Sequence, residues 1–206
     1  MTDPDLRLAR RAGRGDRRAL ARLYETHKQR LLGYLVRILG TQPLAEDVFQ
    51  EVWIKVLQGI EGYRPQKGSS FRAWLYRVAG NAAVDRLRYE ARRPTAGSAR
   101  VDGAEDLQEA DRLPSPLPGP ERQAAGKQMA AALGQALGSL TDRQRAAVLL
   151  RHQQGMSYPE VAAALGVPQG TAKTLVHRGV LALRGILAAR QEQAREAGAR
   201  AEQTDE

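Results

Sequence analysis

The chain has no cysteine, which excludes disulfides, thiolate metal sites and a cysteine nucleophile. Aromatic residues fill only 5% of its 206 positions, and β-branched runs are rare. Ala, Leu and Arg dominate instead, a bias that favours an all-helical fold. No stretch approaches the roughly 18 uncharged apolar residues that a membrane span needs. Met1-Thr2-Asp3-Pro4-Asp5 is acidic with no apolar run behind it, so the expectation is a cytoplasmic protein without a signal peptide. Histidine is scarce as well: His27, His152 and His177 lie far apart in sequence, so no metal site and no cofactor are expected.

What the chain has in excess is positive charge, net +9. Residues 1–94 hold 19 Lys/Arg against 10 Asp/Glu, and 123–190 hold 8 against 2. Between them 95–122 hold 3 against 6, and the tail 191–206 is acidic too. Two basic blocks around an acidic spacer suit a polyanionic partner, although a soluble Arg-rich protein is the simpler alternative. The spacer "PTAGSARVDGAEDLQEADRLPSPLPGPER" has five prolines and no helical period, and reads as a flexible linker. The organisation expected is therefore a helical domain over 1–94, a linker over 95–122, a second helical domain over 123–190, and a disordered tail over 191–206.

In the second block, Ser157 with Glu160 three residues on makes a capping box, and Pro159 suits a first helical turn. Gly166 suits the left-handed end of that helix, and Pro168 opens another. Two short helices about a Gly turn are the helix-turn-helix pattern. At 100° per residue, Ala172, Val176, Gly179 and Leu183 share one face of the second helix. Gly170, Thr171, Thr174, His177 and Arg178 share the opposite one, with Lys173 at its flank. Short side chains permit close approach to a groove, and the cations can meet phosphates or base edges. The alternative is a helical hairpin with a solvated polar face.

In the first block, "LAEDVFQEVWIKVL" buries Ala45, Val48, Phe49, Val52 and Val56 on one face. The other carries Asp47, Gln50 and Glu51 together with Ile54 and Leu57. Apolar residues among carboxylates fit a protein-docking surface, unless a neighbouring helix covers them. No Ser/His, metal-ligand or Gly-rich phosphate set accompanies the acids, so no catalytic residues and no enzyme are expected. Residues 63–88 interleave Tyr63, Phe71, Trp74 and Tyr76 with Arg64, Lys67, Arg72, Arg77, Arg86 and Arg88. That mixture suits single-stranded nucleic acid, whose bases stack on rings while cations follow the backbone. The competing reading puts Phe71, Trp74 and Leu75 in the core, and for Trp74 the shared face with Val78 and Ala82 favours it.

Three stretches in this order, "AEDVFQEVW" at 45–53, "FRAWLYRVAGNAAVDRLR" at 71–88 and "LTDRQRAAVLLRHQQGMSYPEVAAALGVPQGTAKTLVHRG" at 140–179, resemble bacterial RNA polymerase sigma factors of the sigma-70 family, extracytoplasmic-function type. The resemblance covers roughly residues 18–93 and 123–188. It implies an all-α, two-domain fold with no catalysis of its own. It implies that Asp47, Gln50, Glu51 and Ile54 grip core RNA polymerase at the β′ clamp helices, with the β subunit also a partner. It assigns the melted minus-ten promoter element to Lys67, Ser69, Ser70, Phe71, Arg72, Tyr76, Arg77, Asn81, Asp85 and Arg88, with a flipped base held by the loop before Phe71. It assigns the duplex minus-thirty-five element to Gln169, Gly170, Thr171, Lys173, Thr174, His177 and Arg178. An anti-sigma factor is a further implied partner.

Two departures stand out. Leu175 and Val180 occupy positions where that family favours basic residues, so fewer phosphate contacts are expected. Gly179 stands where Ala is usual and should weaken the helix by up to ~1 kcal/mol. The competing function is a stand-alone helix-turn-helix regulator with an N-terminal effector or dimerisation domain. It accounts for 140–190 equally well, but not for the aromatic-basic segment or the apolar-acidic face.

Overall fold

The computed structural model describes residues 4–64, 70–92 and 120–202, without the side chains of 120–128 and 194–202. Every described element is helical: α1 (Pro4–Ala12), α2 (Arg17–Leu39), α3 (Gln42–Gly59), α4 (Phe71–Arg92), α5 (Pro120–Gly138), α6 (Asp142–Val148), α7 (Tyr158–Leu165) and α8 (Gln169–Glu202). A wider π-helical turn, Leu149–Gln153, extends α6.

Local chemistry sets the helix ends. Asp16 caps α2 by accepting from the Arg18 and Ala19 backbone N–H groups, and Gly40 ends it at φ +85°. Thr41 precedes α3, and Pro43 sits in the first turn, where the missing N–H costs nothing. Thr141 with Gln144 and Ser157 with Glu160 form capping boxes on α6 and α7. Gly166, at φ +64°, turns the chain from α7 into α8.

Helices α1 to α4 wrap a core that includes Leu23, Leu31, Leu35, Val48, Val52, Phe71 and Leu75, all fully buried. Helices α5 to α8 bury Leu150, Met156, Val161, Ala172 and Val176 in the same way. The two groups also touch. Helix α7 lies along α4, and Arg145 Nη1 reaches across to donate to Ile38 O at 2.9 Å.

Three expectations need revision. Helix α1 is an element that the sequence pattern did not announce. The backbone of 191–202 continues α8 instead of forming a disordered tail. Residues 120–122, assigned to the linker, open α5. The rest of the linker lies outside the described residues. None of the described helices is long and apolar enough to cross a membrane.

Candidate nucleic-acid interface

The outward face of α3 is open to solvent. Asp47, Gln50 and Glu51 are exposed, and so are Ile54 (54%) and Leu57 (57%). Among the described residues no helix covers them. Beneath, Trp53 is buried, with its ring 5.0 Å from Tyr24 and 6.3 Å from Phe49. Tyr24, on α2, is itself 37% exposed, so the apolar surface spans two helices. The period of α3 alone could not reveal that contribution. Arg86 of α4 holds the Asp47 carboxylate at 3.3 Å, and Lys55 holds Glu51 at 2.6 Å. The face is therefore apolar at its centre and acidic at its rim.

The aromatic-basic segment is arranged otherwise than its composition suggests. Phe71 and Tyr76 are fully buried, Tyr63 is buried, and Trp74 is half-buried. The Tyr63, Phe71 and Trp74 rings pack together at 5.0–5.9 Å, and Tyr76 meets Tyr34 edge-on at 5.1 Å. These rings serve the core, the role the sequence favours for Trp74 and leaves open for Phe71, and base stacking by Phe71 or Tyr76 is not available in this arrangement. Arg77, Asn81, Asp85 and Arg88 are exposed at helical spacing along one side of α4. Lys67 and Ser69 lie outside the described residues.

The start of α4 is occupied by the second helical group. Ser70 Oγ donates to Glu160 Oε1 at 2.8 Å, and Arg72 lies 3.3 Å from the same carboxylate. Arg72 Nη1 also donates to Gln154 O at 3.3 Å. The Tyr76 hydroxyl donates to Gln154 Oε1 at 2.6 Å, and Gln154 Nε2 donates to Arg30 O at 3.2 Å. Burial pushes the Tyr76 hydroxyl well above the usual range for a phenol, so it remains a donor. Burial would raise the Glu160 carboxyl as well. Hydrogen bonds from the Ser157 backbone and the Ser70 and Ser157 hydroxyls, with the charge of Arg72, outweigh it and lower the pKa. Gln154 is brought inward by the π-helical turn that it closes. Neither Gln154 nor Glu160 was singled out for this role from sequence, because partners 78 to 124 residues away leave no local pattern.

The first turns of α8 present Gln169, Gly170, Thr171, Lys173, Thr174, His177 and Arg178, all exposed. Ala172, Val176 and Leu183 face the core, and Gly179 is buried with them. Leu175 and Val180 are half-buried and pack against the core, as apolar residues should at these positions. Thr174 Oγ1 donates to Gly170 O at 3.0 Å, which leaves its lone pairs outward. Lys173 Nζ lies 5.8 Å from the Tyr158 ring centre, and the Arg151 guanidinium lies 5.0 Å from it. The exposed face is thus basic, short-chained near its start, and carried on a rigid helix. Among the described residues no group of three or more His, Asp or Glu could hold a metal ion.

Residues 23–93 match the family model described as Sigma-70 region 2, and residues 130–183 match that of Sigma-70, region 4. The ECF RNA polymerase sigma factor SigE of Mycolicibacterium smegmatis is 35% identical over 166 residues, 81% of this chain and 60% of that protein. The chain therefore spans about 60% of that relative's length. The RNA polymerase sigma-H factor of Pseudomonas aeruginosa is 32% identical over 176 residues, 85% of this chain and 90% of that one. In fold the chain is similar to the sigma factor RpoE solved with the anti-sigma factor NepR from Bartonella quintana. There the TM-score is 0.55 at 24% identity, covering 77% of this chain and 89% of that one.

Proposed function

This chain belongs to the sigma-70 family of RNA polymerase sigma factors, in its extracytoplasmic-function branch, and we propose that it directs core polymerase to its promoters through three separate surfaces. The open face of α3 docks on core polymerase. Its apolar centre, Ile54 and Leu57, loses water on docking, while Asp47, Gln50 and Glu51 select a partner with basic or donor groups. The exposed side of α4 with residues 65–69 captures the melted minus-ten element. The first turns of α8 enter the major groove of the minus-thirty-five element, where Lys173, His177 and Arg178 meet phosphates or base edges. The chain acts in the cytoplasm and contributes position and strand capture, with no bond-making of its own. An anti-sigma factor, such as the one that accompanies RpoE in its solved structure, would compete for these faces.

One observation carries the reading: a chain matching both regions leaves an apolar face on α3 and a basic face on α8 uncovered. A stand-alone regulator needs only the second. The test is binding of the purified chain to closed duplex and to a bubble template, each with and without core polymerase. Promoter-selective binding is expected only with core present. Selective duplex binding by the chain alone would overturn the reading.

A further inference from the structure

Polar bonds join the two helical groups at the start of α4, and beside them lies an open groove of about 370 Å³. Trp74 and Arg77 of α4 form one wall. Ala162, Ala163, Val167 and Pro168, at the end of α7 and in the turn to α8, form the other. Both walls are firm. The Trp74 ring packs on Tyr63 and Phe71, with centroids 5.0 and 5.6 Å away. The end of α3 comes so close behind it that a β-carbon on Gly59 would lie 3.3 Å from Trp74 Cζ2. Across the groove, Val167 N–H donates to Ala162 O at 3.0 Å and Gly166 takes the left-handed conformation, which fixes the turn.

The groove is apolar except at Arg77. That side chain is exposed and makes no ion pair with a described residue, and no carboxylate lines the groove. Helix α8 starts on the same wall. Its first helical bond runs from Ala172 N–H to Pro168 O at 3.0 Å, and the N–H groups of Gln169, Gly170 and Thr171 precede it. The positive end of the helix dipole therefore adds to the charge of Arg77. A neutral apolar occupant would bury the guanidinium without a counter-charge, at a cost. A flat apolar body with one anionic group satisfies both parts of the surface. The volume lies at the lower end of the roughly 300–1,000 Å³ typical of small-molecule sites.

We propose that this groove binds a small aromatic acid, its ring on Trp74 and its carboxylate on Arg77, and that the bound acid holds the two helical groups closed. Guanidinium and carboxylate match in pairs of charge-assisted hydrogen bonds, and an offset ring suits the indole. Each half of the chain supplies one wall, so the site exists only while α7 lies along α4. Arg77 also belongs to the face assigned to the minus-ten element, so an acid paired with it withholds that cation from the promoter strand. The ligand site stands on geometry alone; its effect on polymerase assembly rests on the sigma-factor reading.

The test is calorimetric titration of the full chain with 2-naphthoate, beside the neutral 2-naphthamide. Saturable one-to-one binding of 2-naphthoate is expected. Affinity should fall about tenfold or more for 2-naphthamide and for R77M, which each remove one charge of the pair. A163W fills the groove and should abolish binding; should it fail to fold, R77M at an exposed position still decides. The second arm is assembly with core polymerase. With 2-naphthoate at about ten times its Kd, the apparent Kd for core should rise about elevenfold, because a ligand confined to one state weakens the competing equilibrium by 1 + [L]/Kd. No saturable heat up to about 1 mM overturns the proposal and leaves the groove to a side chain of a protein partner. Equal affinity for the amide or by R77M overturns the assignment to an acid. Undiminished binding by folded A163W places the site elsewhere and overturns it too. Binding that leaves assembly unchanged overturns the closing role. If the chain without any probe does not assemble with core polymerase, the sigma-factor reading falls, while the calorimetric result still decides the site.

Discussion

Gly179 shows how packing can reverse an argument from propensity. On helix propensity alone, alanine there should stabilise α8 by up to ~1 kcal/mol. In the fold, a β-carbon at 179 would come within 2.5 Å of Val148 Cγ2 and 3.4 Å of Gln144 O. Val148 is buried and β-branched, so it has no easy rotamer to retreat into. G179A should therefore destabilise the chain by about 1–3 kcal/mol, as overpacking does. The measurement is the denaturant midpoint at constant slope. A variant more stable than its parent would mean that Val148 yields and propensity wins. Asp5 is a second case. Its Oδ2 lies 2.9 Å from buried His27 Nε2, which ties α1 to α2. The hydrogen bond to His27 lowers the Asp5 pKa, and partial burial only opposes it. A carboxylate with a lowered folded pKa contributes fully above about 3.9 and loses its contribution as pH falls through the folded value. D5A should thus be less stable than the parent at pH 7, and the difference should narrow on acidification below about pH 4. Thermal melts across that range decide it; a gap that does not change with pH would assign the loss to packing.

At the scale of single helices, the faces of α3 and α8 allow a division of labour to be tested. D47A/I54R places a charge at the apolar centre of the α3 face and removes a rim carboxylate. It should abolish binding to core polymerase while the melting temperature changes little, because both side chains are exposed. Normal binding by a folded variant would remove α3 from the docking surface. R178A should leave polymerase binding alone and weaken minus-thirty-five recognition by about 1–3 kcal/mol if the guanidinium makes a bidentate base contact. Promoter affinity equal to the parent would place Arg178 outside the groove. Most helices were legible from the 3.6-residue period and from capping signals, as at Ser157, Glu160 and Gly166. Helix α1 escaped because its few apolar positions, such as Leu6, Ala9 and Ala12, are scattered among arginines and become core only by packing on α2 and α4. Pro43 sits in the first turn of α3, a place that sequence alone does not distinguish from a break, since proline ends one helix and begins another equally well. Composition leaves the rings at Tyr63, Phe71 and Tyr76 open to either a stacking or a core role, because it records which side chains are present, not which way a helix turns them.

At the scale of the whole molecule, the two helical groups obstruct each other. Ser70, Arg72 and Tyr76, all assigned to the minus-ten element, are held by Glu160 and Gln154 of the group that carries the recognition helix. A strand reaching the start of α4 must first displace α7. The seam is suited to parting. It carries polar bonds, each worth about 0.5–1.5 kcal/mol net. It also contains an unfilled groove of about 370 Å³ between Trp74 and Arg77 on one side and Gly166 and Pro168 on the other. A few such bonds amount to less than the roughly 8–12 kcal/mol of a micromolar to nanomolar docking event, so engagement with polymerase can supply the opening. Q154A/E160Q tests this with the α7 cap preserved, because glutamine also serves in a capping box. It removes the acceptor for the Tyr76 hydroxyl, the donor to Arg30 O and the charge facing Arg72. The expected result is a larger radius of gyration in solution scattering at unchanged helix content, with faster amide exchange in the first turn of α4. An unchanged radius would mean that the apolar packing of α7 on α4 holds the halves together by itself. The polar bonds would then set only their register, and opening would have to begin by exposing Trp74.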